Sequence, residues 1–437
     1  MKNTMKNYKL LVPLVLVVLF LLSVYMTYDT NGTTERLYDG YMQEARSFAA
    51  QGIVVDALKN YTNAMEIRDS FPLQMEVALL YVDNQDYRSA KKWGSQMLDA
   101  FPNNVEVYDY LMNLHYQTED YIACFQLADI MLKRKLPMDG VQPIMAEIEN
   151  AYFFKGAYED VSIFSEGYCA VMRKSAWGFV NETGGGAVDT KYTHVGAFRM
   201  DLAPVTDNES ASYYIDAEGS KKKVVMGVGN IERLGVIEEG CFTLYDGASW
   251  GLYNELDEPV ALGFDDVSSY LNGVIAGFKE GKWFLLDSSG AQINENTFDG
   301  IIRDEKGAVY RNGRLFIKES GSYYLIDRTG KKITETPYED AKLFCDNTYA
   351  AVKVNGKWGF INKDGVFLIQ PEYTDARSFS NGFAAVCENE QWGFIDMDNA
   401  CTIPYQFDDS KDFNSHGCVF IKRGEEWNLL KLYKYNH

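Results

Sequence analysis

From about residue 158 to the end of the chain, one bulky ring returns at nearly constant intervals. Trp177, Tyr214, Trp250, Trp283, Tyr324, Trp358, Trp392 and Trp427 follow one another at 37, 36, 33, 41, 34, 34 and 35 residues, and the series takes six of the chain's seven tryptophans. A period of this length specifies one small unit copied and laid against itself, because each copy buries little alone and much against its neighbours.

The two most alike copies lie between Phe344 and Asn399. Tyr349-Ala-Ala-Val352, Asn355-Gly-Lys-Trp-Gly-Phe-Ile361 and Tyr373-Thr-Asp-Ala376 in the first answer Phe383-Ala-Ala-Val386, Gln391-Trp-Gly-Phe-Ile-Asp396 and Phe407-Asp-Asp-Ser410 in the second. Asn355-Gly356 favours a tight hairpin, and the run from Trp392 to Asp396 is apolar on both alternating faces, as a strand buried on both sides requires. Each copy therefore predicts up to four short antiparallel strands. The glycine after the tryptophan predicts a close approach by a neighbouring backbone or ring. In the longest interval two hairpin signals, Asn312-Gly313 and Ser320-Gly321, stand where other copies have one, and an inserted strand is expected there.

These residues, Trp-Gly-Phe-Ile between Asn-Gly or Asp-Gly turns, resemble WG (tryptophan-glycine) repeats over about residues 158–431. Trp177-Gly178 and Trp250-Gly251 keep the dipeptide, whereas Trp283-Phe284, Trp427-Asn428 and the Tyr-Tyr pairs at 213–214 and 323–324 depart from it. Similar bacterial proteins are often surface or envelope proteins, so the resemblance implies a module and not an activity. Four-stranded units in radial repetition imply a β-propeller of seven or eight blades. The alternative is an open β-array, because the last copy ends without an obvious fourth strand.

Residues 35–157 carry helical periodicity instead. Val54, Ala57, Leu58, Tyr61, Ala64 and Met65 fall on one face, and Ala57, Ala90 and Ala123 recur every 33 residues at the second helix of successive pairs. This section resembles tetratricopeptide repeats, with three units over about residues 37–136 and a capping helix near Val141–Phe154. The resemblance implies a concave groove that takes an extended peptide.

At the other end, Leu10–Met26 is free of charge and follows Lys2, Lys6 and Lys9. It predicts a transmembrane signal anchor within residues 1–28, followed by a polar linker at 29–34. The basic flank puts the N-terminus in the cytoplasm and the bulk of the chain outside a single-pass cell membrane. The expected whole is a multidomain α + β protein: anchor, helical solenoid, then an all-β repeat domain at 158–437.

A net charge of −20 excludes a nucleic-acid binder, which needs clustered Lys and Arg. The seven cysteines show no metal-ligand spacing and read as small apolar residues. No nucleophile, P-loop or zinc motif occurs, and neither a metal nor a cofactor is expected. The recurring aromatic-x-Asp step places Asp160, Asp266, Asp340, Asp375 and Asp409 at equivalent positions, a candidate acidic ring at a channel mouth. The competing role for each is a local turn bond to the backbone. The expected function is non-catalytic binding or scaffolding at the cell envelope, with a protein, peptide or wall glycan as partner. The rivals are an envelope hydrolase using carboxylate pairs such as Asp265-Asp266 and Asp408-Asp409, and a cytoplasmic-facing membrane adaptor.

Overall fold

The computed structural model describes residues 4–345 and 349–435, with side chains described from residue 15 onward except 22 and 24–31. Two compact units divide between Glu149 and Asn150.

In the first unit the helices are α1 (Thr4–Ala50), α2 (Val54–Ile67), α3 (Phe71–Asp83), α4 (Tyr87–Ala100), α5 (Val105–Gln117), α6 (Tyr121–Arg134) and α7 (Gln142–Ile148). Local chemistry fixes several starts: the Asp86 side chain accepts from Ser89 N at 3.1 Å, and that of Asn104 from Glu106 N at 3.0 Å. Ala57 and Ala90 are fully buried at the fourth residue of α2 and α4. In α6 that place belongs to Cys124, and Ala123 is only partly buried.

The expected transmembrane anchor is corrected. Among the described residues no helix is long and apolar enough to cross a membrane. The seventeen uncharged residues of Leu10–Met26 make roughly 26 Å of helix against a hydrocarbon core of about 30 Å, and here they sit inside a helix of 47 residues. Most side chains of Leu10–Met26 lie outside those described. The helix also runs unbroken through 29–34, read from sequence as a linker; the modest propensity costs of Thr, Asn and Gly do not stop it.

The second unit is an eight-bladed β-propeller. Each blade begins with a two-residue inner strand, at Asp160, His194, Arg233, Asp266, Gly300, Asp340, Asp375 and Asp409. Blades 1, 2, 3, 6, 7 and 8 have four paired strands, and blades 4 and 5 have three. In those two the outer edge is reduced to isolated bridges such as Trp283 with Phe298 and Tyr323 with Tyr338.

The ring is closed, not an open array. The missing fourth strand of the last blade is Tyr152–Tyr158, which pairs antiparallel with Glu426–Leu432, Tyr152 opposite Leu432 and Phe154 opposite Leu430. Tyr158, Val161 and Cys169 then share one buried cluster with Cys418, Phe420 and Trp427, so the first blade packs on the last. The sequence places Tyr152–Phe154 of this strand at the end of the expected capping helix. Its four aromatics and a glycine at φ +64° in seven residues favour a bulged edge strand over a helix.

Strand pairing also corrects two ring positions. In blade 7, Asp375 faces Cys387, which faces Trp392. The same lineage in blade 5 runs from Gly300 through Lys318 to Tyr323, not Tyr324. In blade 2 it runs from His194 through Thr206 to Ser212, which puts Tyr214 two places on. That later place is the true core position of the repeat: Phe179, Tyr214, Leu252, Leu285, Leu325, Phe360, Phe394 and Leu429 are each at most 1% exposed.

The glycine after the tryptophan meets a backbone, as expected. A Cβ on Gly359 would lie 2.7 Å from Ile369 O, and one on Gly393 2.8 Å from Ile403 O, where the outer strand bulges across the third. Blade 8 has Asn428 instead, whose side-chain amide donates to Gly156 O at 2.8 Å in the bulged closing strand.

Candidate ligand-binding cavity

In blades 1–5 and 7 the inner strand passes to the second through a loop that ends in a two-residue turn, such as Asn381-Gly382 between the bridged Ser380 and Phe383. Hydroxyl groups stitch neighbouring loops together: Ser165 Oγ donates to Phe198 O at 2.8 Å and Ser380 Oγ to Phe413 O at 2.6 Å. Loops of six blades wall a cavity of about 610 Å³.

The blade 5 loop is the outlier, with thirteen residues (302–314) where blade 7 has seven (377–383). The extra length is not the expected inserted strand. Asn312-Gly313 occupies the same turn as Asn381-Gly382, and the added residues form a tight loop ahead of it. Asp304 organises that loop: Oδ1 accepts from Lys306 N at 2.9 Å and Ala308 N at 2.8 Å, and Oδ2 takes Arg311 Nε at 2.9 Å and Nη2 at 2.6 Å. Ser269 of blade 4 holds the other side, donating to Lys306 O and Gly307 O, each at 2.8 Å.

The loop thus presents Glu305 and Lys306 to the cavity. Glu305 reaches blades 7 and 8, where its carboxylate takes Arg377 Nη1 at 3.3 Å and Lys411 Nζ at 3.0 Å. Arg377 and Lys411, with Lys342 in blade 6, immediately follow the inner strands of three consecutive blades. Each cation stands over its blade's tryptophan, with Lys342 5.3 Å from the Trp358 ring centre, Arg377 5.5 Å from Trp392 and Lys411 5.2 Å from Trp427.

Six Lys and Arg side chains and four carboxylates line the cavity, whereas the chain as a whole has 42 of the first and 62 of the second. Burial, reinforced by the Arg199 and Arg311 charges, pushes the Lys306 ammonium down to about 8. Burial pushes the Asp412 carboxyl up, against the pull of Arg377. Asp412 Oδ2 accepts from the Cys345 thiol at 3.2 Å, while its Oδ1 and Arg377 Nε are buried without a hydrogen-bond partner. Phe164, Leu343, Phe344 and Phe413 supply apolar wall.

The five sequence-predicted aspartates do occupy one equivalent place, the first residue of an inner strand, and none of them lines the cavity. Each accepts from the next backbone N–H at 2.7 or 2.8 Å. Asp266 is also held by Arg303 at 3.0 and 2.7 Å, and Asp409 by Arg377 at 3.1 Å. The cavity is lined instead by Lys342 and Arg377, two places after Asp340 and Asp375, with Lys411 reaching Glu305 at its edge. Their signal was in the sequence, as Lys342, Arg377 and Lys411 at intervals of 35 and 34 residues.

The helical unit has its own concavity, of about 360 Å³, between Met75, Leu79 and Val82 of α3 and Glu106, Asp109 and Asn113 of α5. Burial and the neighbouring Glu106 raise the Asp109 carboxyl, whose Oδ1 has no hydrogen-bond partner. Among the described residues no cysteine forms a disulfide.

Three consecutive segments, residues 325–358, 358–392 and 392–427, carry the recognisable form of the unit. They match the WG containing repeat. These are the later blades, where Trp-Gly or its equivalent recurs most regularly. The chain matches no curated protein sequence. Solved structures with a similar arrangement include BamB from Moraxella catarrhalis, with 12% identity, a TM-score of 0.41, and 64% of this chain and all of that chain covered. A eukaryotic initiation factor also has 12% identity and a TM-score of 0.41, over 65% of this chain and 86% of its own. PorZ, a surface component of the type-IX secretion system of Porphyromonas gingivalis, has 15% identity and a TM-score of 0.34, over 60% of this chain and 41% of its own.

Proposed function

We propose that the protein is a non-catalytic binding and scaffold protein whose propeller takes a segment of a protein partner in the axial cavity. The observation that carries this reading is the construction of the cavity. Six separate blades each give one loop to it, the loops are cross-linked by hydroxyl bonds, and the walls mix cations with aromatic faces. Such a concave, pre-formed site with a few polar groups is suited to recognition. The carboxylates that a hydrolase would need support the reading too, because Asp266 and Asp409 are each committed to an arginine and Asp408 Oδ2 to Gly424 N.

The test is site-specific photo-crosslinking of the full chain in extracts of its source cells. A photoreactive side chain at Ser380, on the cavity rim, should form adducts with a partner polypeptide. One at Glu390, in the hairpin at the other end of the same blade, should not. Equal adducts at both positions, or none at either, would contradict the proposal.

A further inference from the structure

The Glu305 carboxylate, carried across from an insertion in blade 5, is clasped by Arg377 of blade 7 and Lys411 of blade 8. The third cation of that row, Lys342, has no carboxylate partner among the described residues, and neither has Lys306. Lys306 also sits close enough to Arg199 and Arg311 to feel both charges. Like charges gathered in a partly desolvated space are unfavourable unless an anion joins them. Glu238 answers Arg199, Asp304 answers Arg311, and Glu305 answers Arg377 and Lys411, which among the described residues leaves Lys306 and Lys342 as the unanswered cations of the cavity.

Resting on the protein-binding reading above, we propose that the axial cavity binds a carboxylate-bearing, partly apolar peptide segment, the Glu305 side chain being an internal copy of the ligand's acidic group. Lys306 and Lys342 supply the ammonium donors for that acidic group, whereas the Arg377 guanidinium is already shared between Glu305 and Asp409. Phe164, Leu343 and Phe413 beside the cations provide for an adjacent apolar side chain. A cavity of about 610 Å³ holds a short segment, not a folded domain. The chain's net charge of −20 repels acidic peptides elsewhere on the surface, which confines their attraction to this locus.

The probe is a fluorescein-labelled tetrapeptide of alternating glutamate and phenylalanine, titrated with the full chain at low salt and read by fluorescence anisotropy. A matched peptide with glutamine for glutamate is the control. The glutamate peptide should bind at least tenfold more tightly than the glutamine peptide. Glu305→Gln should tighten its binding several-fold by removing the internal competitor, and the double variant Lys306→Met, Lys342→Met should weaken it at least tenfold. Equal binding of the two peptides, no binding by either the wild type or Glu305→Gln, or full binding by the double variant would each overturn the proposal.

A second readout needs no variant. Saturating glutamate peptide should protect Lys306 and Lys342 from acetylation while leaving Lys357, in the hairpin at the opposite end of blade 6, as reactive as before; unchanged acetylation of all three contradicts the proposal. A partner crosslinked at Ser380, together with failure of both peptide measurements, would leave the protein-binding reading standing and remove only its acidic chemistry.

Discussion

Replacing Gly393 by alanine isolates the packing rule that gives the repeat its Trp-Gly step. The added Cβ would lie 2.8 Å from Ile403 O, 2.9 Å from Tyr405 N and 3.0 Å from Tyr405 Cδ1. Two of these atoms are backbone and cannot rotate away. Ordinary contact needs about half an ångström more, so the outer strand Cys401–Phe407 must move as a whole. That movement strains the pairing of Trp392 with Phe407 and of Phe394 with Ile403 on either side of the glycine. Overpacking of this kind costs about 1–3 kcal/mol, which for a unit spanning Asn150–Asn436 lowers the midpoint of thermal unfolding by roughly 2–5 °C. Tryptophan fluorescence reports the relevant unit, because six of the seven tryptophans belong to the propeller. A midpoint unchanged within about 1 °C would refute the argument that backbone contact, not sequence drift, keeps glycine there.

Two further perturbations follow from the same structure. Lys306 releases its proton near 8 when folded and nearer the usual lysine value when unfolded, so the unfolded chain binds more protons in that window. Its contribution makes stability rise with pH from about 8 to 10.5. Lys306→Met should abolish that rise and stabilise the chain by about 1–3 kcal/mol at pH 7; paired thermal unfolding curves across that range check this, and a variant less stable at pH 7 would contradict it. Among the thiols, Cys401 is exposed, whereas Cys169 is fully buried and its thiol is pushed far up by burial. Cys401 should react with a thiol reagent orders of magnitude faster than Cys169 in the native chain, as read by peptide mass mapping, and equal rates would contradict the packing of blades 1 and 8.

The copied unit was legible because its strands are short, its turns carry Asn-Gly or Asp-Gly, and its third strand is apolar on both faces. Ring spacing alone could not set register in blades 2 and 5. Each offers two adjacent tyrosines, and in blade 2 the tryptophan's place is taken by Ser212, which no search for rings would find. The closing strand was hidden for a different reason. Tyr152–Tyr158 belongs to the last blade in space but precedes the first in sequence, so its partner Glu426–Leu432 lies at the far end of the chain. The aspartates were correctly seen to recur, yet recurrence reported a local bond from each carboxylate to the next amide. The cavity's chemistry comes instead from Lys342 and Arg377, two places further along, and from the inserted loop at 303–308, which lies ahead of the Asn312-Gly313 turn that suggests an extra strand. Such a loop earns its place by what it touches two and three blades away, which no local pattern records.

Hydrogen exchange of the segment Tyr152–Tyr158 in the intact chain tests the closed ring most directly. If that segment is the outer strand of the eighth blade, its amides should exchange as slowly as those of Cys401–Phe407, the outer strand of the seventh. Exchange as fast as in the exposed turn at Asn389 and Glu390, with the other blades still protected, would mean that the ring is not closed by this strand.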